Sequence, residues 1–144
     1  PVIVVPDTNV WLMWSGKPGW EQSFPAGVGQ RSVLVATIVL QELLAGARNT
    51  AEREYFTALF RLARRYRKVI NPPAAAWVLS GLTLAKLARR RRLGAARLRS
   101  LRNDVLLAAT ALAHGAAVLT YNRADFTLIS TVLPVEFRAP ERAG

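Results

Sequence analysis

Four acidic residues stand where the crossings of an open α/β sheet could gather them. Asp7 ends the apolar run Val2-Ile3-Val4-Val5-Pro6, and Glu42 lies one turn inside a helix that follows a second apolar run. Asp104 opens a helix that leads into another strand, and Asp125 follows that strand's end. Carboxylates brought together repel unless a cation neutralises them. With no cysteine and a single histidine, the hard oxygen donors suit Mg²⁺ or Mn²⁺. The chemistry open to such a set is hydrolysis of a phosphodiester at a metal. Taken singly, each acid except Asp7 has a more ordinary reading. Asp104 would serve as a charge at a helix N-terminus, Glu42 as a surface glutamate and Asp125 as a turn former. A histidine-based ribonuclease is hard to build from His114 alone, and the chain has no glycine-rich phosphate loop.

The elements that must position these acids follow from pattern. The β-branched run before Asp7 lacks polar alternation, which marks a strand buried on both faces of a parallel sheet. Ligands of such sheets lie beyond the carboxyl ends of the strands, where Asp7 falls. Val10 to Trp14 reads as a helical turn, and Ser15 to Ser32, rich in Gly and Pro, as a long loop pinned by Trp20 and Phe24. Val33-Leu34-Val35-Ala36 is the second strand. Thr37 then caps a helix from Ile38 to about Arg48, with Val39, Leu43, Gly46 and Ala47 on one face.

Ala51 to Lys68 is amphipathic, with Phe56, Leu59, Phe60 and Ala63 as its apolar stripe. Val69-Ile70 makes a brief edge strand, and Asn71-Pro72-Pro73 starts a helix that runs to about Arg92. Asn103 caps the next helix, which Gly115 ends. Ala116 to Thr120 is a buried strand, Tyr121 to Phe126 turns into a short helical piece, and a last strand lies near Pro134-Val135-Glu136. The alternation predicts one α/β domain, a sandwich with a mainly parallel sheet, over residues 1–137, with a frayed tail over 138–144.

Composition narrows the function. The chain carries a net charge of +11, and the basic residues cluster. Arg61 to Lys68 holds five of them and Lys86 to Arg102 eight, with no acid in either window. Two such windows in one chain suggest a polyanion partner, with Arg64, Arg65, Arg89, Arg90, Arg91 and Arg92 as candidate contacts to the phosphates of a phosphodiester backbone. Part of the arginine run at the end of its helix also complements the helix dipole. The absence of cysteine excludes disulfides and thiolate metal sites and fits a reducing cytoplasm. The apolar start before Asp7 is too short for a signal peptide. Val105 to Asn122 is uncharged and approaches the about 20 residues of a membrane span, but His114-Gly115 interrupts it and alanines dilute it.

Four segments in this order resemble one family. Asp7-Thr8-Asn9-Val10, Leu40-Gln41-Glu42-Leu43, Asn103 to Ala111 and Leu119 to Phe126 together are similar to PIN-domain ribonucleases, and within them to the VapC-type toxins of bacterial type II toxin–antitoxin pairs. The resemblance covers nearly the whole chain. It implies a three-layer α/β/α sandwich and a cytoplasmic, Mg²⁺-dependent endoribonuclease, with Mn²⁺ as a substitute. Asp7, Glu42 and Asp104 would form the catalytic, metal-binding cluster, with Asp125 as a fourth, outer or second-metal ligand. Many members carry an acid where this chain has Asn122, so either Asn122 or Asp125 faces the metal. Thr8, Asn9, Thr120 and Asn122 would orient carboxylates or water. The family's habit also implies a homodimer held inactive by a cognate antitoxin protein.

Rival readings remain. A housekeeping PIN-type RNA-processing nuclease would share these residues. A haloacid-dehalogenase-like phosphatase begins with a strand ending in Asp-x-Asp, but Asn9 replaces its second acid. A non-catalytic nucleic-acid-binding module would explain the arginines and leave the four acids without a purpose.

Overall fold

The computed structural model describes residues 2–15 and 31–140. In chain order the described elements are β1 (Val2–Pro6), α1 (Thr8–Ser15), β2 (Arg31–Val33), β3 (Val35–Ala36), α2 (Thr37–Ala45) and α3 (Thr50–Arg65). There follow β4 (Val69–Ile70), α4 (Ala74–Arg91), α5 (Ala95–Ala113), β5 (Ala117–Leu119), α6 (Arg123–Ser130) and β6 (Phe137–Arg138). The loop expected over 15–32, with Trp20 and Phe24, lies largely outside the described residues, as do positions 141–144.

The main sheet has the order β2-β1-β5-β6, every pair parallel. β1 is central: Val4 pairs with Val33 on one side and Ala117 on the other. Val4 and Val5 point to opposite faces of the sheet, and both are fully buried. Helices therefore cover both faces, and the fold is the expected three-layer α/β sandwich. A second, two-stranded parallel sheet pairs β3 with β4, which confirms the short strand at Val69-Ile70.

Several local expectations are corrected. The run Val33 to Ala36 is not one strand. It breaks at Leu34, whose N–H still donates to the Val4 carbonyl at 2.9 Å, while Val35 turns to pair with Val69. Thr37 is the first helical residue of α2 rather than its cap. Ala36 stands at the cap position without a side-chain bond, and the helix closes at Gly46, whose N–H donates to the Glu42 carbonyl. α3 begins at a true cap: Asn49 Oδ1 accepts from Glu52 N at 2.9 Å, and the Glu52 carboxylate accepts from Arg48 N.

Asn103 caps nothing. α5 begins eight residues earlier, after Gly94, because Ala95 to Arg102 is built from strong helix formers that carry the helix straight through Asn103 and Asp104. Its end is as expected, with Gly115 at φ 64°, a left-handed turn that glycine takes without strain. β6 falls just beyond the expected Pro134–Glu136. The Arg138 carbonyl accepts from Thr120 N at 3.0 Å, so Arg138 belongs to the sheet rather than to a frayed tail. Among the described residues no helix is long and apolar enough to cross a membrane, in line with the reading of Val105 to Asn122.

Candidate active site

The site begins where β1 and β5 end side by side. Asp7 N donates to the Leu119 carbonyl at 2.8 Å, extending the strand pairing by one residue. The chain then turns directly into α1, and Asp7 acts at its N-terminus, its Oδ1 accepting from Thr8 N at 2.8 Å. Its other oxygen accepts from Thr120 Oγ1 at 3.0 Å and, at 3.5 Å, from Asn9 Nδ2. Asn9 also accepts from Tyr121 N, and Thr120 Oγ1 accepts from Asn122 N at 2.9 Å. The Asp7-Thr8-Asn9 and Thr120-Tyr121-Asn122 segments thus lock to each other. They hold an almost fully buried carboxylate in one orientation, 5% of Asp7 being exposed.

Glu42 reaches the same end of the sheet from α2 and Asp104 from the middle of α5. Burial, the largest cause, raises the pKa of Asp7, against the hydrogen bonds from Thr8 and Thr120. Burial also raises Glu42, reinforced by the charge of Asp7 and opposed by the Thr8 hydroxyl. Asp104 is pushed furthest, to about 7, first by burial and then by the charges of Asp7, Asp125 and Glu42, with Arg97 pulling the other way. The fold therefore brings the acids near enough for the charge of Asp7 to act on Glu42 and Asp104, and for those of Glu42 and Asp125 to act on Asp104.

Asp125 behaves differently. Its Oδ1 accepts from the Arg97 guanidinium and its Oδ2 from Asn122 Nδ2 at 2.9 Å, so the arginine holds it below the usual carboxylate range. Asn122 also donates to Asp104 Oδ2 at 3.4 Å, bridging the two acids, and its Oδ1 caps α6 through Asp125 N. Asn122 therefore stands between Asp104 and Asp125 as an amide donor to both.

The donor set suits a hard divalent cation, and one further atom agrees with it. Thr8 Oγ1 is buried without a hydrogen bond of full geometry, although it lies near enough to Glu42 to favour its charged form. A hydroxyl so placed beside the Glu42 carboxylate, itself within reach of the charge of Asp7, fits the hydration shell of a cation. The acids are not drawn around a common point: among the described residues no three His, Cys, Asp or Glu side chains form a ready coordination group.

From Glu42 and Asp104 a cavity of about 910 Å³ opens between α2, α4 and α5. Arg99 and Arg102 line one wall and Trp77 stands on the other, while Arg64, Arg65 and the run Arg89 to Arg92 do not line it. Sequence patterning does not single out Arg97, Arg99, Arg102 or Trp77. The first three lie unseparated in a basic window, although Arg97 and Asp104 are seven residues apart and share a helix face.

An all-parallel sheet with a buried carboxylate past its central strand and an arginine-lined cleft beside it defines an α/β protein with its site at the carboxyl ends of the strands. The chain belongs to the PIN-domain family, whose model matches residues 4–130. PIN domains are generally nucleases, so the haloacid-dehalogenase-like alternative is set aside. No curated protein matches the chain. Solved structures share the fold at low identity. DNA-bound VapBC from Salmonella typhimurium matches at 22% identity and a TM-score of 0.65, covering 96% of this chain and 98% of that one. VapBC2 from Rickettsia felis, bound to a DNA fragment from its promoter, matches at 17% and 0.66, over 97% and 100%. VapBC-5 from Mycobacterium tuberculosis, a member of the VapBC family of toxin-antitoxin systems, matches at 20% and 0.62, over 97% and 100%.

Proposed function

We propose that the chain is a Mg²⁺-dependent endoribonuclease and the toxin of a toxin–antitoxin pair. The observation that carries the catalytic part is the buried Asp7 carboxylate, locked in place past the end of β1, with Glu42 and Asp104 near enough for its charge to act on both. These three would hold Mg²⁺ or Mn²⁺. When bound, such an ion supplies acidity to a water molecule and positive charge to the phosphate under attack. The chain's own residues do the rest. Thr8 N, Thr120 and Asn9 fix the direction of Asp7, and Asn122 holds Asp104 and Asp125 at a set spacing. Arg97 neutralises Asp125, which favours a positioning role for that acid over direct ligation. Arg99 and Arg102 draw the phosphates of an RNA strand into the cleft.

The toxin assignment is supported by the fold shared with VapBC structures, and it implies an antitoxin protein as partner and a homodimer as the working assembly. Expression tests it. The wild type alone should arrest growth, the Asp7→Asn variant should not, and a small protein encoded beside this gene should restore growth and co-purify. A harmless wild type in a host lacking that neighbour would instead leave a housekeeping RNA-processing nuclease.

A further inference from the structure

The cleft beside the carboxylates has features that phosphate binding does not use. On α4, Trp77, Ser80, Gly81 and Leu84 recur at i, i+3, i+4 and i+7 and form one wall. Trp77 is 60% exposed and makes no ring contact among the described residues. Gly81, one turn on, leaves a gap in the wall. A Cβ built there meets nothing within 4 Å, so packing does not require the glycine, although glycine inside a helix costs stability. Gln41 of α2 and Asn103 of α5, both exposed, add amide groups that can donate and accept. Arg102 stands one residue before Asn103, and Asp104 one residue after it.

We propose that this cleft is a nucleotide subsite: one unpaired base of the RNA strand stacks on the Trp77 indole in the space that Gly81 leaves open. Gln41 or Asn103 meets its edge, and Arg99 and Arg102 hold the flanking phosphates. The inference rests on the ribonuclease reading and adds to it where the strand lies and that it must be single-stranded. Charge and shape favour this occupant. A flat, exposed indole takes the π-face of any base, two arginines match phosphates, and the cleft ends at the carboxylates where a bond would be cut. A base within a duplex is stacked on its neighbours and cannot reach the indole.

The test uses a short single-stranded RNA with 2-aminopurine at its centre, bound in EDTA to prevent cleavage, and the same protein preparations assayed for RNA cleavage in Mg²⁺. The wild type should quench the fluorophore on binding. Trp77→Ala should lose the quenching and bind about tenfold more weakly, with an unchanged salt slope, whereas Trp77→Phe keeps most of the affinity. Gly81→Leu, which fills the gap, should weaken binding while raising the melting temperature, so its effect cannot be mistaken for unfolding. A wild type that cleaves RNA while all three variants bind like it overturns the subsite alone. So does equal weakening towards a duplex of the same sequence. Variants that keep RNA binding but escape silencing by the neighbouring small protein assign the cleft to a protein partner and likewise overturn it. A wild type that neither binds nor cleaves overturns the ribonuclease reading together with the subsite.

Discussion

Asp104 shows how far the environment of one residue decides what a sequence position can do. By its sequence neighbours alone, it looks like a helix-start charge. In the fold it lies mid-helix beside three other acids, its pKa pushed from 3.8 to about 7 by burial first and by Asp7, Asp125 and Glu42 next. Between those two pH values the metal-free folded chain keeps a proton that the unfolded chain has released. The stability this contributes is full below pH 3.8 and lost as pH rises through about 7. Asp7 and Glu42, also raised, act in the same direction. Without metal, the melting temperature should therefore fall from about pH 4 to about pH 8, and the Asp104→Asn variant should show a flatter decline. Thermal scans across this range in EDTA check it, and a wild-type curve that rises with pH would contradict the electrostatic account of the cluster.

Elements are legible where pattern and burial agree. The run before Asp7 is buried on both faces as a central parallel strand should be, and Phe56, Leu59 and Ala63 face inward from α3 as their spacing demands. What stays hidden is register. Val33 to Ala36 is apolar throughout, so nothing in it signals that Leu34 divides two sheets. Asn103 looks like a cap because cap-forming residues also occur inside helices when strong helix formers precede them. The order of the acids along the alternating elements suffices to bring Asp7, Glu42 and Asp104 to one end of the sheet. Arg97, however, is one arginine in a basic window, and its pairing with Asp125 depends on how α5 meets α6. The junction of β1 and β5 offers the cleanest check at this level. Thr120→Val keeps the shape but removes the donor to Asp7 and leaves Asn122 N without its acceptor, for a loss of about 1–3 kcal/mol. Chemical denaturation measures it. A change within error would show that the hydroxyl does not tie the strand ends together.

At the scale of the whole molecule, a chain of net charge +11 carries an acidic site, and on the proposed reading the excess charge attracts the polyanion while the acids hold the cation. Arg89, Arg90 and Arg91 close α4 and Arg92 caps it in a left-handed conformation, away from the cleft lining. They can still contribute to long-range attraction. Replacing all four with Gln should weaken RNA binding and reduce its salt slope by about 0.7 for each phosphate no longer neutralised. Identical slopes would confine these arginines to the helix terminus. The central claim, that Asp7, Glu42 and Asp104 together hold the ion on which RNA cleavage depends, is tested most directly by titrating Mn²⁺ calorimetrically into wild type and Asp104→Asn, with RNA cleavage followed in the same preparations. The account predicts that the wild type binds the ion and cleaves, and that the variant, folded and no less heat-stable without metal, does neither. Cleavage that persists in EDTA, or a variant that binds Mn²⁺ and cuts RNA like the wild type, would contradict it.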